Sequence, residues 1–61
     1  MTPDERHVVL LAECIKRGIP VGLDDETVEV ETALLEHITG DPFMGASDDY
    51  RQGRLDDALG L

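Results

Sequence analysis

Between Val8 and Ile15 apolar residues recur at positions 8, 11, 12 and 15, with Leu10 and Cys14 widening the stripe, while Arg6, Glu13, Lys16 and Arg17 face away. That recurrence is the period of a helix with one dry flank. Its start is written in Thr2-Pro3-Asp4-Glu5, which has the form of a capping box with proline at the first helical position. Its stop is written in Gly18, the residue that most readily takes a left-handed cap, followed by an apolar Ile19 and a Pro20 that bars continuation. The pattern predicts a first helix over residues 3–17.

A second apolar face follows, made of Val28, Val30, Leu34, Leu35 and Ile38 and ending at Thr39-Gly40-Asp41-Pro42. Asp24 or Asp25 suits the N-cap, and Leu23 and Val28 stand at the spacing of a hydrophobic staple. The second helix is expected over 25–39. A rival pairing of Ile19–Leu23 with Val28–Val30 as a β-hairpin is weakened by Pro20 and Gly22. From Gly40 onward glycines and both aromatics accumulate. Ser47 suits a cap, and Leu55, Ala58 and Leu59 share a helical face that Gly53 interrupts at about 1 kcal/mol relative to alanine. A short, weakly helical segment is expected over 48–59.

The fold class read from this pattern is all-α: an antiparallel two-helix hairpin over 1–40 and a glycine-containing C-terminal segment over 41–61. Each hairpin helix has an apolar face wider than one neighbour covers. A helical-bundle dimer, or a tail folded across the hairpin as a third layer, is expected to complete the burial.

Composition sharpens this reading. At 61 residues a chain buries a small fraction of its surface, and such domains commonly lean on disulfides, a metal or a partner. Cys14 is the single cysteine, so no internal disulfide exists. His7, Cys14 and His37 are the soft metal ligands, and their spacing lacks the paired motifs of a zinc site. The paired acids Asp24-Asp25, Asp48-Asp49 and Asp56-Asp57 lack the ligand order and central glycine of a calcium loop. No metal or cofactor is expected, and no nucleophile stands in a motif that would support catalysis or a small-molecule substrate.

Fourteen Asp and Glu against five Lys and Arg give a net charge of −9, which repels phosphate backbones and anionic lipid. Direct nucleic-acid or membrane binding is not expected. Met1–Glu5 has no basic leader, and the apolar run Val8–Ala12 is too short for a signal or a span, so the cytoplasm is the expected compartment.

Glu31 breaks the pattern, because helical phase puts it inside the apolar face of the second helix. One reading lets it reach water at the rim. The sharper reading pairs it with Arg6, Lys16 or Arg54 across an interface, fixing register.

These features point to a small acidic protein-interaction module, an accessory, adaptor or regulatory subunit that binds a larger protein or itself. Phe43, Met44, Tyr50, Leu55 and Leu59 are the candidate anchors. The alternative from another class is an acidic inhibitor that mimics nucleic acid and fills a basic groove, as a phage anti-host protein would. A small structural component of a phage particle is a third expectation.

Overall fold

Both ends of the first helix are built as their sequence signals imply. A computed structural model describes residues 2–43 and 45–61 and contains three helices among them: α1 (Pro3–Lys16), α2 (Thr27–Thr39) and α3 (Asp48–Leu59). Thr2 Oγ1 accepts from the Glu5 amide at 3.1 Å, and Glu5 reaches back to the Thr2 hydroxyl. At the other end of α1, Gly18 adopts φ +73°. The Gly18 amide then donates to Ile15 O at 3.1 Å and the Ile19 amide to Cys14 O at 2.9 Å. This is the Schellman pattern of bonds, and it brings Ile19 into the core.

The start of α2 differs from expectation. Glu26 occupies the cap position without a side-chain bond, and the helix begins at Thr27 rather than at residue 25. Asp25 is engaged elsewhere: its carboxylate accepts from the Gly22 amide at 2.8 Å and closes the preceding turn. Leu23 is 78% exposed, so the expected staple with Val28 does not form.

Order continues past Gly40. Ser47 Oγ accepts from the Tyr50 amide at 3.3 Å, and α3 runs unbroken through Gly53 to its left-handed cap at Gly60. The expected two-helix hairpin with a weak tail is therefore corrected to three helices, with both α1 and α3 packed against α2. Burial of Leu55 and Arg51 offsets the cost of Gly53. A radius of gyration of 10.4 Å matches the value of about 10.5 Å for a compact chain of this length. The tail is thus packed onto the body.

Leu10, Cys14, Ile19, Val30, Leu34, Leu35, Phe43 and Leu55 form the core. Here lies the largest departure from the sequence reading: α1 turns Leu10 and Cys14 inward and leaves Val8 63% and Ile15 64% exposed. Polar partners fix that rotation. His7 Nδ1 lies 2.8 Å from Thr27 Oγ1, and Arg6 reaches Glu31 and Asp56. Turning α1 by about a third of a turn to bury Val8 and Ile15 would swing these groups away.

Candidate functional site

Three helices meet at one carboxylate. Glu31, on the face of α2 between its neighbours, is 1% exposed. Its Oε2 accepts from Arg6 Nη1 of α1, and its Oε1 accepts from Arg51 Nε of α3 at 3.0 Å. Arg6 Nη2 continues to Asp56 Oδ1 at 2.9 Å. Arg51, 4% exposed, donates also to Asp48 Oδ1 at 2.6 Å and to Ala46 O at 3.3 Å. The rim reading of Glu31 is corrected. The pairing with Arg6 is present, within one chain rather than across an interface.

Burial works to lower the Arg6 pKa, but hydrogen bonds to Asp56 and Glu31 outweigh it and hold the value above that of a free guanidinium. For Arg51 the hydrogen bond to Asp48 is the largest influence; it overcomes burial, and Glu31 adds to it, so this pKa is raised as well. Both remain cations, and both Glu31 oxygens are occupied. Among the described residues no buried side-chain nitrogen or oxygen lacks a partner. The cluster clamps three helices.

Lys16 and Arg54, the other cations weighed for Glu31, lie exposed, while Arg51 was missed. A signal for it existed: Arg51 precedes Leu55 by one helical turn and follows Asp48 by three residues, so it shares the inward face with one and an ion pair with the other.

The proposed anchors are scattered. Leu55 is fully enclosed, and Phe43 is buried, its ring stacked on Tyr50 with centroids 6.0 Å apart and planes at 28°. Leu59 is half-buried against the core. Tyr50 alone of the described four is widely exposed, and Met44 lies outside the described residues. Phe43 and Leu55 therefore support the fold in this conformation, because the ordered α3 gave them a core to join.

Two surfaces remain open. Between α2 and α3 lies a solvent-open groove of about 560 Å³, floored by Ala33, Phe43 and Ala46 and edged by Glu29, Glu36 and Asp48. Glu36 already holds the Phe43 amide at 3.0 Å. The other surface is the outer flank of α1, where Val8, Ala12 and Ile15 succeed one another at helical spacing with a shallow apolar depression beside Val8 and Val9. Asp4 and Glu5 edge that depression, and Lys16 and Arg17 stand at the far end of the same helix.

The three soft ligands do not converge. Cys14 is buried with Sγ 4.0 Å from Val30 O, and burial pushes its thiol above the ordinary range. His37 is exposed near the end of α2. No group of three His, Cys, Asp or Glu among the described residues is placed to hold a metal ion, and no described helix is long and apolar enough to cross a membrane. No protein-family model, curated protein or solved structure matches the chain.

Proposed function

We propose that this chain is a small acidic interaction module that acts by binding a protein surface, without catalysis, through the outer flank of α1. The observation that carries the reading is the uncovered apolar row Val8, Ala12 and Ile15 on one helix face, whereas the other exposed aliphatics, Leu23, Val28 and Leu61, lie on separate segments. Large apolar side chains dominate interface energies, and a contiguous exposed row of them is a common mark of a contact surface. Leu34 and Leu35 of α2 are fully buried, so the uncovered apolar surface foreseen from sequence is reduced to this face of α1 and to Val28 beside the α2–α3 groove.

The nucleic-acid mimic has weaker support. A mimic needs free carboxylates, and at least seven of the fourteen acids are engaged within the fold. Glu13, Glu31, Asp48 and Asp56 pair with arginines; Asp25 and Glu36 hold backbone amides; Glu5 holds the Thr2 hydroxyl.

Affinity capture from the native host, with the intact chain and a Val8→Glu/Ile15→Glu variant as paired baits, tests the reading across salt concentrations. Partners held by the intact chain, lost by the variant and insensitive to salt are expected. Equal capture by both baits, or capture that collapses as salt rises, contradicts it.

A further inference from the structure

Charge is not spread evenly along this acidic chain. Residues 3–17 contain Asp4, Glu5 and Glu13 against Arg6, Lys16 and Arg17, three charges of each sign and a sum of zero. The whole of the −9 therefore falls in residues 18–61, where eleven acids face Arg51 and Arg54. Arg6 turns inward to Glu31 and Asp56, so the outside of α1 carries Asp4, Glu5 and Glu13 against Lys16 and Arg17, close to balance beside the eleven acids of residues 18–61, and it also bears the uncovered apolar row. It is also polar end to end, with acids in the first turn and Lys16 in the last.

We infer that a second copy of this chain covers that flank, two α1 helices packing antiparallel about a two-fold axis near Ala12. This rests on the interaction-module reading and names its partner. In the antiparallel arrangement Val8 of each copy meets Ile15 of the other, seven residues or about 10 Å along the axis. Ala12 at the centre lets the backbones approach. Asp4 and Glu5 of each copy then face the Lys16 end of its partner, and symmetry makes that pairing twice. A parallel arrangement would instead set acid against acid and base against base. An unrelated basic partner would be expected to select the more acidic flanks of α2 and α3 rather than this one.

The contact is a single helix pair and falls below the ~800 Å² per partner of a standard interface, so the dimer is reversible and assembles over roughly 10 μM to 1 mM. Salt identifies it. Two bodies of −9 repel at long range, the apolar row is indifferent to salt, and the exposed Asp4/Glu5–Lys16 pairings contribute little against that repulsion, so screening strengthens the dimer. A contact with a basic protein responds with the opposite sign.

Sedimentation equilibrium on the intact chain tests the inference. The mass-average should rise from 6.7 kDa toward twice that value with concentration, and association should tighten between 10 and 150 mM salt, as the Debye length falls from about 30 to 8 Å. The Val8→Glu/Ile15→Glu variant, altered only at exposed positions, should stay monomeric with an unchanged far-UV spectrum. Mixed Val8→Cys and Ile15→Cys proteins should form the 8-to-15 disulfide in preference to either like pair; the native Cys14 thiol is buried and takes no part. A 6.7 kDa species at every concentration, a dimer that survives the double glutamate change, or a preference for like pairs overturns the inference. If the chain is monomeric throughout while the variant bait still loses host partners, self-pairing fails and the module reading stands. If captured partners are also unaffected, both fail.

Discussion

Replacing Glu31 with alanine should remove the contact on which all three helices converge. Arg51 is 4% exposed and would keep Asp48 and Ala46 O, while Arg6, 18% exposed in its side chain, would keep Asp56 and gain water. Breaking one partner out of a buried ion pair costs about 3–5 kcal/mol because it strands the opposite charge. The partners that remain here place the expectation near 3 kcal/mol. A domain of this length has a total stability of about 3–9 kcal/mol, so the loss consumes from a third to all of it. At about 4–8 °C per kcal/mol for small domains, Tm should fall by roughly 12–24 °C. Urea and thermal melts followed by far-UV circular dichroism provide the measurement. Glu31→Leu combined with Arg51→Leu supplies the control: it strands no fully buried charge and should lie within about 1–2 kcal/mol of the parent. An alanine variant that melts within 2 °C of the parent would refute the idea that the cluster ties the helices together.

Two further outcomes follow from the same geometry. Gly53 sits inside α3 with open space where a Cβ would go, so Gly53→Ala should stabilise the chain by about 1 kcal/mol, and a lowered Tm would contradict that placement. Burial raises the Cys14 thiol pKa above its unfolded value, so the folded state favours the neutral form. Its contribution is then complete below the ordinary thiol pKa of about 8.5 and is lost as pH climbs toward the raised folded value. Unfolding free energies of the parent and Cys14→Ala should converge as pH rises above about 9; divergence would reverse the sign and reject the assignment.

What could be read along the chain was what local bonds decide. Thr2-Pro3-Asp4-Glu5, Gly18-Ile19, Gly40 and Ser47 each act on amides or carbonyls within a few residues, and each marks a helix end where the structure places one. The start of α2 was misread because two aspartates competed for one role, and Asp25 closed the turn at Gly22 instead. The rotation of α1 was hidden for a different reason. Two apolar rows, 8/12/15 and 10/14, are both compatible with a helical period, and the choice between them rests on Arg6 and His7 meeting groups more than fifteen residues away. Arg51 escaped notice for the same cause, since its reach to Glu31 spans 20 residues. α3 looked weak because Gly53 is visible in sequence, whereas the burial of Leu55 against α2 is a tertiary gain.

The proposed contact runs through the outer flank of α1. Amide nuclear magnetic resonance spectra recorded as the chain is concentrated, and again with any captured partner, test it most directly. The largest shifts are expected at Val8, Ala12 and Ile15, with the amides of Phe43, Ala46 and Asp48 in the α2–α3 groove left in place. Shifts confined to that groove, with the α1 amides unmoved, would contradict it.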